Sequence, residues 1–279
     1  MRDLAGKVAL VTGAGNGIGR ATAFALARKG VRLILADVNE PALRAAETEC
    51  ATQSACLLAH AVDVSKRDEM EAFARRVHQL TPCVDILVNN AGVYLTGGFL
   101  DLTLDDWEWS MSTNLWGMIL ASHFFVPKMV ERGEGGHVVN MASMYGYWIG
   151  PSVIGYLTPK FGVFGFSEAL REDLRGNGIG VSTVCPGIIR TNILQNMRVK
   201  NDGDAAEIRE NLRKTYQWRN YKPERVATAI VKAIQRNRRL VLVSPEARLM
   251  YHLQRLCPAL SRVISRAAAK RMFRQAKAP

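Results

Sequence analysis

Tyr156 and Lys160 stand four residues apart, with Ser143 before them and Asn114 further upstream. On a helix, positions four apart share a face, so this phenol and ammonium would lie side by side. A free phenol ionises near pH ~10. A neighbouring ammonium favours the phenolate and pulls that value down. A tyrosine in this setting can take a proton from an alcohol, or return one to a ketone oxygen, as hydride leaves or reaches carbon. Ser143 adds a hydroxyl able to hold and orient the reacting oxygen.

Hydride chemistry of this kind needs a carrier, and the N-terminal segment TGAGNGIG (Thr12–Gly19) is built to hold one. Gly13, Gly15, Gly17 and Gly19, with Asn16 and Ile18 among them, lie between a Val-rich run and a helical pattern. Backbone N–H groups at a helix N-terminus bind a pyrophosphate, and glycines let the chain turn tightly against it. Asp37 follows the second apolar run. A carboxylate there accepts hydrogen bonds from the adenosine ribose and repels a 2′-phosphate. Neither Asn16 nor Val38 supplies an arginine for such a phosphate, so NAD is expected over NADP. Taken alone, Asp37 is equally a turn residue before a helix.

These groups must be positioned by a regular frame. Lys7–Thr12, Arg32–Ala36, Cys56–Val62, Val84–Val88, His137–Ala142, Val181–Cys185 and Leu240–Val243 read as seven buried strands. Helical periodicity fills Ile18–Lys29, Glu40–Ala51 behind Asn39 and Pro41, and Lys66–Leu80. One long helix is expected over Leu104–Arg132, capped by Thr103, and another runs from near Tyr156 to Arg175. Strands alternating with helices imply right-handed crossovers and a parallel sheet covered on both faces.

With Asn114, Ser143, Tyr156, Lys160, the Gly13/Gly17/Gly19 spacing and the Asn89-Asn90-Ala91-Gly92 segment together, the chain resembles the short-chain dehydrogenase/reductase family over residues 5–245. The resemblance implies a Rossmann-like, doubly wound α/β fold with a seven-stranded parallel sheet and helices on both faces. It places Asp63 and Val64 near the adenine, and Asn90, Ala91 and Gly92 along the nucleotide cleft. Pro186, Gly187, Ile188 and Thr191 would form the nicotinamide-side loop. Lys160 would also hold the nicotinamide ribose, and Asn114 would anchor a water in a proton path through Lys160. A homodimer or homotetramer is implied, assembled through the long helix and the Tyr156 helix. One departure is Pro159, where the family has small residues. A proline inside a helix removes a hydrogen bond to the carbonyl four residues back, here Gly155, at small cost only in the first turn.

Composition fits one domain over residues 1–279, with a core of about 5–245, a substrate lid of about 192–222 and a basic extension of about 246–279. The N-terminus does not read as a signal peptide, and no apolar run is long enough to span a bilayer, so a cytoplasmic place is expected, with membrane-peripheral contact as an alternative. Five cysteines without close pairing suit a reducing compartment, and no His or Cys spacing suggests a metal. The net charge of +12 is concentrated at one end: from Arg248 to Pro279 there are eight Lys or Arg and no acid, leaving 29 basic against 25 acidic elsewhere, a net +4. That tail mixes Leu, Ile, Met and Phe with Arg and Lys at helical spacing. It could rest on anionic lipid, pack on another subunit or cover the pocket. No recognition motif points to nucleic acid.

Met144, Tyr145, Tyr147, Trp148, Ile149 and Val153, with Tyr94 and Leu95, make the surroundings of Ser143 and Tyr156 apolar. The expected activity is NAD-dependent interconversion of a hydrophobic, secondary alcohol and its ketone. Epimerase or dehydratase chemistry on the same scaffold, or a non-catalytic NAD-binding regulator, are the alternatives.

Overall fold

The structure, a computed structural model, describes residues 1–150, 152–200 and 205–273. Residues 201–204 of the expected lid and 274–279 of the basic extension lie outside the described residues.

The first half alternates β1 (Val8–Thr12), α1 (Gly17–Ala27), β2 (Arg32–Asp37), α2 (Glu40–Ala51), β3 (Cys56–Ala61), α3 (Arg67–Leu80) and β4 (Ile86–Asn89). A two-residue strand β5 (Leu95–Thr96) leads to α4 (Leu104–Met111) and α5 (Gly117–Arg132), then β6 (Gly136–Met141), α6 (Ile154–Asp173) and β7 (Ile179–Cys185). The chain continues through β8 (Arg198–Val199), α7 (Ala205–Arg219), α8 (Pro223–Arg236), β9 (Leu240–Leu242), α9 (Pro245–Leu256) and α10 (Pro258–Phe273). Seven strands form one parallel sheet in the order β3-β2-β1-β4-β6-β7-β9, matching the seven expected. β5 and β8 pair separately.

Strand side chains alternate between two apolar layers. Ala9 and Val11 pack with α1, α2 and α8, while Val8 and Leu10 pack with α3 and α5. Both faces are covered, which is why the strands read as continuous apolar runs. The chain winds outward from β1 through β3, then returns to start the other half at β4. Such a switch of direction opens a crevice at the carboxyl ends of the strands.

Local signals place the helix starts. Asn39 caps α2 through its side-chain oxygen, which accepts from Ala42 N at 3.0 Å. Thr103 and Asp106 form a reciprocal capping box at α4.

The single helix expected over Leu104–Arg132 is divided instead. Between α4 and α5 the segment Ser112–Trp116 winds as a π-helix, its end marked by Gly117 N bonding Ser112 O. The cause lies outside the helix. Asn114, within this turn, accepts from Val93 N and donates to Val93 O, both at 3.1 Å. Holding a loop 21 residues away, the side chain fixes its own position, and the wider turn accommodates it.

Candidate active site

The crevice is a cleft of about 490 Å³. Gly13, Asn16, Gly17, Ile18, Asp37, Val38, Asp63, Val64, Asn90, Ala91, Gly92, Ser143, Tyr156, Lys160, Pro186, Gly187, Ile188 and Thr191 all line it. Gly15, Gly19 and Asn114 stand behind the lining.

At one end the glycine turn joins β1 to α1. Gly13 and Gly17 have φ of +64° and +55°, a region that suits glycine. Gly19 is packed so closely that an added Cβ would lie 2.0 Å from Gly13 O. Asn90 braces the turn from β4, donating from Nδ2 to Thr12 O and Gly13 O at 3.0 Å each. Asn16 stands at the N-cap of α1, and its side chain makes no capping hydrogen bond, so the donors of the first helical turn remain available to an anion. Asp37 Oδ2 accepts from Gly15 N at 2.8 Å and Oδ1 from Asn39 N at 2.9 Å. The carboxylate is thereby fixed at the rim of the cleft. These residues fit a dinucleotide: a cradle that a Cβ would fill, unspent helix N–H groups and a carboxylate fixed at the rim.

At the other end β6 delivers Ser143 and α6 delivers Tyr156 and Lys160, all three buried. Lys160 Nζ donates to Met141 O at 2.9 Å and lies 5.6 Å from the centre of the Tyr156 ring. Burial holds the Lys160 ammonium down to about 8. Burial pushes the Tyr156 phenol well up, while a hydrogen bond with the Ser143 hydroxyl acts the other way. Burial thus favours the neutral phenol, and positive charge brought into the cleft would favour the phenolate.

α6 begins at Ile154, so Pro159 stands in its second turn and the Gly155 carbonyl loses its usual partner. That carbonyl is satisfied from α4: Ser110 Oγ donates to it at 2.6 Å. Ser110 in turn accepts from Asn114 Nδ2 at 3.1 Å. The departure at Pro159 is thus absorbed, and Tyr156 and Lys160 remain on one face beside Ser143. Ser110 was not legible as part of the site, although it shares a helix face with Asn114 four residues on.

The apolar surroundings divide differently from expectation. Tyr94, Met144 and Tyr145 line the cleft, with Tyr94 and Tyr156 ring centres 4.6 Å apart. Tyr147 and Trp148 instead pack under α9, where Tyr147 Oη donates to Ala247 O at 2.7 Å. Leu95, Ile149 and Val153 also lie off the lining. Trp109 from α4, Thr113 from the π-turn, and Leu212 and Tyr216 from α7 take their places.

Two ties hold the segments that follow β7. Asp106 at the start of α4 pairs with Arg198 at 3.3 Å and Lys200 at 3.2 Å, and the Arg198 guanidinium sits 4.1 Å from the Trp109 ring centre. Glu246, at the start of α9, accepts from Ile188 N at 3.2 Å and pairs with Arg219 at 2.5 Å. Burial works against the Glu246 charge, but these partners hold its carboxyl below the usual range. Among the described residues no cluster suited to a metal ion is present, and no helix is long and apolar enough to cross a membrane.

Known proteins of one family resemble this chain. The family model described as short chain dehydrogenase matches residues 7–202. A Mycobacterium tuberculosis protein named "Probable oxidoreductase EphD" is 37% identical over 260 residues, covering 92% of this chain and 44% of that protein. The chain therefore spans less than half the length of this relative. Estradiol 17-beta-dehydrogenase 11 of Rattus norvegicus is 30% identical over 92% of this chain and 82% of its own. The crystal structure of a short chain dehydrogenase/reductase from Burkholderia phymatum, in complex with NAD, superposes with a TM-score of 0.84 at 30% identity. It covers 93% of this chain and 96% of that one.

Proposed function

The chain belongs to the short-chain dehydrogenase family, and from that premise we propose that it is an NAD-dependent oxidoreductase interconverting a hydrophobic secondary alcohol and its ketone. The observation that carries this reading is the single cleft with Asp37 and the glycine turn at one end and Ser143, Tyr156 and Lys160 at the other. Gly13, Gly15, Asn16, Gly17, Ile18 and Gly19 would hold the pyrophosphate, and Asp37 with Val38 the adenosine ribose. Asp63 and Val64 would flank the adenine. Asn90, Ala91 and Gly92 would line the middle of the cleft, with Pro186, Gly187, Ile188 and Thr191 across from them. NAD rather than NADP is supported by the Asp37 carboxylate, whose charge opposes a 2′-phosphate.

When bound, the nicotinamide takes or supplies the hydride. The protein manages the oxygen and the proton. Ser143 holds the substrate oxygen, and Tyr156 Oη takes its proton in oxidation or returns one in reduction. Lys160, charged below about pH 8, helps lower the phenol and holds the nicotinamide ribose. Asn114 spends its side chain on Val93 and Ser110. Gly92 lies between it and Lys160: a Cβ there would be 2.9 Å from Asn114 Oδ1 and 3.6 Å from Lys160 Nζ. Its lack of a side chain leaves room for a water to join the two and carry protons outward.

A hydrophobic substrate is supported by Tyr94, Tyr145, Trp109, Leu212 and Tyr216 around the reacting end. The rat relative is named for dehydrogenation of estradiol, itself an apolar secondary alcohol. In this reading residues 192–222 act as lid on one nucleotide-binding unit, and exposed Trp116 and Phe161 mark the face through which two or four copies assemble. The test is absorbance of reduced nicotinamide with NAD and a panel of steroid, retinoid, long-chain and small secondary alcohols. Wild type should reduce NAD increasingly as pH rises towards about 8, and lose that gain above it as Lys160 gives up its charge. Tyr156→Phe should lose at least a thousandfold of that rate, within the range of a missing acid/base, while still binding NADH. Unchanged turnover in Tyr156→Phe would remove the role assigned to it.

A further inference from the structure

α10 buries two serines and leaves two of its aliphatic side chains exposed. Its serines face the protein: Ser261 is 1% and Ser265 5% exposed. The Ser261 hydroxyl donates to Gln254 Oε1 at 2.7 Å, and the Ser265 hydroxyl donates to the Ile149 carbonyl. Of its aliphatic side chains Ile264 packs inward, but Leu260 and Val263 face away, 47% and 61% exposed. α9 adds Leu249 at 61% and Leu256 at 83% beside them in sequence, although Ala247, Met250 and Tyr251 of the same helix pack inward. A helix that merely covers a protein surface in water turns its large aliphatic residues inward and its polar ones outward, and here the division is mixed.

The same outward surface is basic. Arg248, Arg255, Arg262 and Arg266 are all exposed, and no acidic residue follows Glu246 to offset them or the further basic residues of the tail. A second copy meeting this surface across a two-fold axis would set the basic stripe against itself. Nucleic acid would satisfy the arginines but not the four aliphatic side chains. A bilayer carrying anionic headgroups satisfies both: the headgroups neutralise the arginines, and the Leu and Val side chains enter the acyl boundary.

We propose that the outer face of α9 and α10 docks on an anionic lipid surface. α10 packs on α7, which carries Leu212 and Tyr216 of the cleft. Docking therefore sets the substrate end of the cleft close to the bilayer, a natural source of an apolar alcohol or ketone. This last step rests on the oxidoreductase reading; the docking itself does not.

The experiment is sedimentation of the full chain with vesicles of phosphatidylcholine alone, or of phosphatidylcholine with phosphatidylglycerol. The protein should pellet with the anionic vesicles only and be released by high salt. Arg262→Glu removes one positive charge and adds one negative, and should lower the partition coefficient roughly thirtyfold. Leu260→Ser should lower it roughly tenfold. Both side chains are exposed, so unchanged melting and NADH titration would show that fold and cleft are intact, whether or not a substrate has been found. Equal binding to neutral vesicles, or none to anionic ones, would overturn the proposal. So would a Leu260→Ser variant that keeps its lipid binding but loses self-association, which would assign the face to a second copy.

Discussion

The two ends of the cleft are made of different material. The nucleotide end is backbone: glycines with left-handed φ, helix N–H groups, and a carboxylate clamped by two more N–H groups. The reacting end is side chain, gathered from α4, α6, α7 and the segment after β6. A backbone cradle tolerates almost no variation because its shape is set by what cannot be added. A side-chain wall can be rebuilt residue by residue. The contrast explains how one frame keeps its cofactor while its substrate changes.

The sharpest way to break the comparison is to put a methyl group into the cradle. Gly19→Ala drives a Cβ against Gly13 O, a backbone atom that cannot swing aside. Stability should fall by about 3 kcal/mol, read from urea unfolding, and NADH titration should no longer saturate. Normal NADH binding would show that the close approach is dispensable. A milder change at the same end is Asp37→Ala, which removes the carboxylate proposed to accept from the ribose and to repel a 2′-phosphate. The NAD over NADP preference should narrow by roughly ten- to hundredfold in paired binding titrations; an unaltered ratio would move cofactor choice elsewhere. The smallest effect belongs to the other end. Arg198→Ala removes one of the two ties to Asp106 and the contact with Trp109 and should raise KM for an accepted substrate roughly fivefold with NADH affinity unchanged. An equal loss of NADH affinity would mean that the two ends are not separable.

Legibility followed the same division. The glycine turn, Asp37, and the Ser143, Tyr156 and Lys160 spacing could be read because each depends on a fixed interval along one segment. The seven strands were legible from their apolar runs. The π-turn at Ser112–Trp116 was not, since its cause is a bond from Asn114 to Val93 across two segments. Nor could the sequence tell Tyr145, which lines the cleft, from Tyr147, which packs under α9: both are aromatic and two residues apart. Strands β5 and β8, two residues each, are too short to carry a period. α8 is the exception, unassigned although Val226, Ala227, Ile230, Val231 and Ile234 follow Pro223 at helical spacing.

The bond from Ser110 to the Gly155 carbonyl gives Pro159 a partner as well as a place. With proline present, that buried carbonyl depends on Ser110, and losing the hydroxyl strands it at a cost of about 1–3 kcal/mol. With alanine at 159 the helix supplies its own N–H, and the hydroxyl becomes redundant. Neither residue can therefore be judged alone: the same change at 110 is harmful on one background and nearly silent on the other, a coupling that a double-mutant cycle measures. Proline at 159 is therefore inexpensive only while Ser110 is in place, and Ser110 is dispensable only while 159 is not proline.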